Sequence, residues 1–351
     1  MVINQKPNVI SYKDIQYHKN DMGPSTMLGK TTVIAGVSKS GKSFALNDIL
    51  KGLSKSLRAL VVFSGTANVD KSFPMTGYTH PSMIHNTLNI PALEKVIDKA
   101  AEMMEKYQRY TTLRMVEPVA IYLRSKLKRY QTSSINTQWA TVTKEKEDFK
   151  NLVSPTKDVI DERSDKLTML FRKIIVSYKR IILKKGILLN NEIAIKVVEF
   201  VDFNVNVGVV INDLTDEYDA LTKKEKGIVN QIFNKGRHFG ITMIMLIHTW
   251  NGFGTTLRNS ANNIIFTSPD LANSYVSGQK MRHMEARQFT DALNAIITKD
   301  RALPLDQRKY YCMLFIKDSL TFSYVQADPR GKQVYVGIRY FDLRPRKHKN
   351  S

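Results

Sequence analysis

The sequence predicts an α/β protein with a mainly parallel sheet flanked by helices, a large helical insertion and a C-terminal β-hairpin. Three observations carry that expectation. A glycine-rich turn, Gly36-Val37-Ser38-Lys39-Ser40-Gly41-Lys42-Ser43, separates a short β-branched run from a helix-forming one. Further apolar runs, all suited to buried strands, alternate with helical segments on either side of a long charged stretch. Near the C-terminus two apolar runs flank Lys317-Asp318-Ser319, the pattern of a hairpin.

Taken in order, residues 1–30 are polar, with a turn at Gly23 and Pro24, and form a lead-in strand or arm. Thr31 to Ala35 is the first core strand, and Phe44 to Leu53 has apolar residues at helical spacing. Ala59 to Phe63 is the next strand, and Asn89 and Pro91 precede a helix. The P-loop half of the core therefore spans 1–94. Over 95–196 the sequence turns helical, and basic residues outnumber acidic ones about two to one. Within it, Leu167, Leu170, Ile174, Tyr178 and Ile181 form one stripe of a helix that Gly186 caps. Lys166, Arg172, Lys173, Lys179, Arg180 and Lys184 occupy the rest of that helix, as a nucleic-acid contact or as a solvated face. The second half of the core, 197–343, holds strands at Val205 to Ile211, Ile241 to Ile247 and Ile264 to Thr267, a helix over Gly227 to Asn234, and the hairpin runs Tyr310 to Ile316 and Leu320 to Val325. Val334 to Tyr340 offers one more strand, and 344–351 is a basic tail.

The 351 residues are 42% hydrophobic and 24% charged, as in a soluble globular protein, but the formal net charge is +21. Such an excess of cations attracts polyanions, nucleic acid first. A single cysteine, Cys312, rules out an intrachain disulfide and a cysteine metal cluster and points to a reducing compartment. No apolar run is long enough to span a bilayer, and Met1 to Lys19 lacks a secretory apolar segment, so a soluble intracellular protein is expected.

The glycine turn is built for a triphosphate. Its backbone N–H groups and the following helix N-terminus face the phosphates, Lys42 reaches the β and γ phosphates, and the Ser43 hydroxyl binds Mg²⁺. The nucleotide-contacting set runs from Gly36 through Val37, Ser38, Lys39, Ser40, Gly41, Lys42 and Ser43 to Phe44. Lys39 adds charge near the phosphates or simply faces solvent. Hydrolysis also needs an acid at the end of another strand. Either Asn212 faces the metal while Asp213 handles water, or Asp213 binds Mg²⁺ through water and Asp216 or Glu217 activates the nucleophile. His248, after the strand Ile241 to Ile247, is placed to sense the γ phosphate or to play a structural part. A transition-state cation from outside the loop is assigned first to Arg258, acting on a neighbouring subunit, and second to Arg237.

Together these segments resemble the genome-packaging ATPases of large DNA viruses, the poxvirus-type, nucleocytoplasmic large DNA virus branch of the FtsK/HerA P-loop superfamily. The resemblance covers roughly 28–90 and 200–327. It lies in the glycine turn, the strand Val207 to Asp213 (VGVVIND), Asn234-Lys235-Gly236-Arg237-His238 before ITMIMLI, Arg258 in a Leu-Arg-Asn-like segment, and Lys309-Tyr310-Tyr311 ahead of the hairpin. Asn212 stands where the family has the first acid of a pair, and His248 where it usually has Gln. The resemblance implies a RecA/FtsK-like fold that binds ATP and Mg²⁺ between the subunits of a homo-oligomeric ring, hexameric or pentameric. It further implies translocation of double-stranded DNA independent of base sequence, capsid or portal-vertex proteins as partners, and a place in the host cytoplasm at virus factories and in the virion. Two alternatives stay open: a helicase or DNA pump of the same superfamily acting on cellular or plasmid DNA, and a basic DNA-binding structural protein that only responds to nucleotide.

Overall fold

The computed structural model describes residues 9–13, 15–66, 75–250, 259–278, 283–304, 307–327 and 331–336. The chain divides into two compact units, Met1–Ala101 with Asn206–Ser351, and Glu102–Val205.

The first unit opens with an antiparallel arm, β1 (Val9–Tyr12) and β2 (Ile15–His18), followed by a one-turn helix α1 (Pro24–Met27) where the sequence suggested only a turn. Strand β3 (Thr31–Ala35), helix α2 (Lys42–Leu53), β4 (Ala59–Ser64) and the two-residue β5 (Ile84–His85) come next. Helix α3 (Ile90–Tyr110) places Leu93, Ile97 and Ala100 in this unit's core, so the compositional change near residue 95 precedes the structural boundary.

The second unit is helical: α4 (Leu113–Lys126), α5 (Ser133–Lys150), α6 (Lys157–Lys185) and α7 (Glu192–Phe200). Its own core contains Val116, Leu123, Trp139, Phe171, Ile174, Tyr178 and Val197. The α6 stripe is rotated from the sequence expectation. Leu167, Phe171, Ile174, Ile175, Tyr178 and Ile182 are buried, whereas Leu170 and Ile181 lie at its margin, because the core that this row enters is shared with α4, α5 and α7. Gly186 ends α6 in the left-handed conformation, φ +62°, as a C-cap requires.

Back in the first unit, β6 (Val207–Asn212) starts two residues later than expected and runs through Asn212. Helices α8 (Thr215–Ala220) and α9 (Lys223–Lys235) lead to β7 (Ile241–Ile247) and β8 (Asn263–Phe266). The helices Pro269–Gly278 and His283–Leu293 follow, the latter continuing through a π turn, Asn294–Thr298, into Lys299–Arg301. Strands β9 (Tyr311–Ile316) and β10 (Thr321–Gln326) form the expected hairpin. The described part of the last expected strand, Val334–Val336, is not in a sheet, although Val336 N–H donates to Tyr78 O at 2.7 Å. Its remainder and the basic tail lie outside the described residues.

The strand order is β10-β9-β8-β3-β7-β6-β4-β5. The pairs from β8 through β5 are parallel, and the hairpin is added antiparallel to β8. Alternation along each strand makes two cores. Val33, Ala35, Val209, Ile211, Met243 and Met245 face one side, and Ile34, Val210, Ile244 and Leu246 face the other, where Leu46, Ile49 and Leu50 of α2 join them. Burying each of the larger of these side chains, the Val, Leu, Ile and Met residues, contributes about 2 kcal/mol. Both edges of the sheet are short or covered. At one side β5 has two residues; at the other, Lys19 bridges to Tyr324 and Asn20 N–H donates to Tyr324 O at 2.8 Å.

Candidate active site

Because β3, β6, β7 and β8 are parallel, the residues that follow each of them gather at one edge of the sheet, where open α/β sheets bind ligands. The glycine turn follows β3, Asp213 follows β6, His248 follows β7 and Thr267 follows β8.

The turn is locked to its neighbours. Gly36 N–H donates to Ile247 O at 3.2 Å, Val37 N–H to Ser268 Oγ at 3.4 Å, and the Ser40 and Thr267 hydroxyls share a 2.5 Å hydrogen bond. Lys39 and Gly41 have positive φ, +60° and +98°, which folds the loop so that successive N–H groups can line a concave anion site. Val37, Ser38 and Lys39 are exposed and Ser40 is buried; the Lys39 side chain thus sits on the solvent side. Gly36 admits no side chain: a β carbon there would lie 1.8 Å from Thr267 Oγ1 and 2.3 Å from Ser40 Oγ. We expect Gly36→Ala to lower nucleotide affinity at least about tenfold and stability by about 1–3 kcal/mol, with partial recovery in Gly36→Ala/Thr267→Ala. Nucleotide titration and thermal unfolding of the four proteins in the cycle check this.

Lys42, the first residue of α2, is 7% exposed. Its ammonium donates to Gly36 O at 2.8 Å and Val37 O at 3.0 Å, and lies 3.0 Å from His248 Nδ1. An ammonium has no lone pair, so Nδ1 is the acceptor and the neutral imidazole carries its proton on Nε2. Nε2 in turn lies 2.5 Å from Asp213 Oδ1. The approach is close but does not have hydrogen-bond geometry, and among the described residues that buried oxygen has no hydrogen-bond donor. Burial lowers the Lys42 pKa from its ordinary 10.5 to about 8, with Asp213 pulling it partly back up. An unfolded chain keeps this proton to 10.5, so the lysine's contribution to stability improves as pH rises from about 8 to 10.5. Phosphate affinity has the opposite sign. A bound polyphosphate favours the ammonium, and we expect nucleotide affinity to fall as pH rises through about 8, approaching tenfold per unit. Binding titrations across that range check it, and Lys42→Arg, which stays charged, should flatten the profile.

Of the acids singled out from the sequence, Asp213 is the one beside His248 and Lys42. Its φ of +54° re-aims the chain after β6. Asn212 is turned the other way: its amide donates to Ser64 Oγ at 2.9 Å and Thr66 Oγ1 at 3.1 Å, at the end of β4. Glu217 Oε2 accepts the Leu88 N–H at 2.7 Å, a structural bond to one carboxylate oxygen, and Asp216 is exposed. Ser43 is half-buried in the first turn of α2. No group of three or more His, Cys, Asp or Glu side chains among the described residues could hold a metal by itself. The hydroxyl of Ser43 and the undonated Asp213 oxygen suit instead a Mg²⁺ ion that takes most of its ligands from phosphates and water.

Arg237 is exposed in the turn before β7, at the amino edge of the sheet, roughly 20 Å of strand away from the loop. It borders a small polar pocket with Gly29, Thr31, Asn234, Ser260 and Asn262. Arg258 lies outside the described residues.

A further arginine, unremarked in the sequence, braces the loop. Arg301 donates from Nη2 to Ser40 O at 2.9 Å and Thr267 O at 3.1 Å. Asp300, 4% exposed, lies beside it and holds the Lys309 N–H at 2.7 Å. The only sequence hint was an adjacent acid and base shortly before Lys309-Tyr310-Tyr311.

On α6, half of the six cations are engaged within the helical unit. Lys166 pairs with Glu145 and Lys179 with Asp202, both at 2.5 Å, and Arg172 donates to Val201 O. Lys173, Arg180 and Lys184 are exposed. No helix among the described residues is long and apolar enough to cross a membrane.

No protein-family model matches the chain. Its sequence is similar to the uncharacterized protein B354L of African swine fever virus, 23% identical over 279 residues that cover 78% of this chain and 76% of that protein. Solved structures similar to it include the genome packaging NTPase B204 from Sulfolobus turreted icosahedral virus 2 in complex with ATP-gammaS, with TM-score 0.36, 11% identity and coverage of 84% of this chain and 95% of that one. Another is EssC (ATPases 2 and 3) from Geobacillus thermodenitrificans, with TM-score 0.38, 14% identity and coverage of 80% and 42%. The strand, glycine turn and helix at the carboxyl edge of a mainly parallel sheet give this chain the α/β fold of a P-loop NTPase, and its sequence is similar to that of a viral protein.

Proposed function

We propose that this protein is an ATP-driven translocase of double-stranded DNA that packages a viral genome, acting as a homo-oligomeric ring at the capsid. The observation that carries the reading is the convergence of Lys42, His248 and Asp213 at the glycine turn. Lys42 exchanges the Gly36 and Val37 carbonyls for the β and γ phosphates. That exchange frees His248 Nδ1 to report on the γ phosphate, while Asp213 orients the attacking water. Ser43 and Asp213 would hold a Mg²⁺ ion together with the phosphates, and that ion would supply charge neutralisation during hydrolysis. Arg258, with Arg237 as the second candidate, serves the nucleotide of a neighbouring subunit; the position of Arg237 at the amino edge fits action in trans only. The net charge of +21 and the viral relative favour DNA and a viral setting.

The test is ATP hydrolysis by the purified protein with and without linear duplex DNA, at increasing salt. Stimulation that fades with salt is expected. Replacing Lys173, Arg180 and Lys184 by alanine should reduce the slope of log affinity against log salt by about 3. Hydrolysis indifferent to DNA would turn the reading toward a basic protein that merely responds to nucleotide.

A further inference from the structure

The Lys309-Tyr310-Tyr311 motif has no part in the hydrolysis chemistry above, yet several buried groups fix its geometry. The two carboxylate oxygens of Asp300 accept the N–H groups on either side of Tyr310, from Lys309 at 2.7 Å and from Tyr311 at 3.2 Å. Tyr310 O accepts the Ala327 N–H at 3.1 Å. So clamped, Tyr310 has φ +53°, a conformation that aromatic residues seldom adopt and that persists only where the surroundings over-determine it. Asp300 itself follows the π turn Asn294–Thr298, a helix irregularity that recurs at functional sites.

The strained residue presents its ring to the nucleotide turn. Tyr310 meets Phe44 edge-on, with centroids 6.0 Å apart at 81°. A β carbon on Gly41 would lie 3.8 Å from Tyr310 Cδ1 and 3.9 Å from Phe44 Cδ2. The Arg301 guanidinium stands 5.6 Å from the Tyr310 centroid while it donates to Ser40 O. Phosphates held by the loop N–H groups send the sugar and base outward past the first turn of α2, where Phe44 and Tyr310 stand. A half-buried aromatic ring there offers a flat apolar face that any base can stack on.

We propose that Tyr310 is the nucleobase platform of the P-loop, held in place by Asp300 and joined to the phosphate turn through Arg301. The proposal rests on the nucleotide reading above, and its test separates the two. Dissociation constants for ATP and for inorganic tripolyphosphate, with Mg²⁺, are measured for the unaltered protein, Tyr310→Phe and Tyr310→Leu. The unaltered protein should prefer ATP. Tyr310→Leu should lose about tenfold or more in ATP affinity and keep its tripolyphosphate affinity within about twofold, while Tyr310→Phe behaves as the unaltered protein. Equal loss of both ligands in Tyr310→Leu would make the tyrosine a support of the loop and overturn the platform, as would unchanged ATP affinity. Uptake of tripolyphosphate with no preference for ATP in the unaltered protein would also overturn it and leave the P-loop reading intact. Uptake of neither ligand would remove both.

Discussion

Lys42→Ala is expected to lower ATP turnover at least about 100-fold while leaving the protein as stable as before or slightly more so. The two effects have separate causes. The ammonium is the charge closest to where a γ phosphate would lie, and nothing else in the described loop replaces it, since Lys39 is exposed. On the proposed mechanism, removing it deletes transition-state stabilisation. The fold, by contrast, has been carrying a buried ammonium whose pKa is depressed to about 8, and alanine relieves that cost at a helix position where it is the best helix former. Phosphate-release kinetics with calorimetric unfolding of the same preparation make the comparison. Turnover within a few-fold of the unaltered protein would contradict the P-loop assignment. A collapse of stability would mean that the lysine is structural.

Asp213→Asn should reduce turnover by about 100-fold or more while nucleotide binding changes little, because the substitution keeps shape and removes only the charge that, on the proposed mechanism, orients water and metal. Asparagine also tolerates the left-handed backbone at this position, so the φ of +54° need not change. A second readout comes from Lys42. Asp213 is the group that raises the lysine's pKa against the effect of burial. Its neutralisation should move the decline of nucleotide affinity with pH to below about 8. A variant that lost turnover without that movement would show that the carboxylate does not act on the lysine, and one that kept turnover would mean that the site needs a different acid.

Much of this arrangement is legible in the chain because it follows from short-range rules. Thr31–Ala35 and Ile241–Ile247 are β-branched and apolar runs without a charge, the pattern that a doubly covered parallel strand accommodates. The glycine turn and the residues just beyond β6 and β7 then follow from the shared direction of those strands. What the chain does not announce depends on tertiary neighbours. Asn212 and Asp213 are adjacent, yet the left-handed turn at Asp213 separates their roles, and sequence left that choice open. Glu217 is an acid at a suitable spacing, one of whose carboxylate oxygens accepts a backbone N–H from after β5. Arg301 reaches the loop from more than 250 positions away, through a π turn that no periodicity marks. The rotated stripe of α6 has the same origin: which of two adjacent apolar rows is buried depends on where the neighbouring helices lie.

The abbreviated margins of the central sheet limit how copies of this protein can join. With a two-residue strand at one margin and the N-terminal arm bridged to Tyr324 at the other, little free backbone is offered for a neighbour to extend the ladder. A ring of such subunits would then rely chiefly on side chains of helices and loops. Subunit contacts of that kind can slide or rock through a working cycle without unzipping a shared sheet.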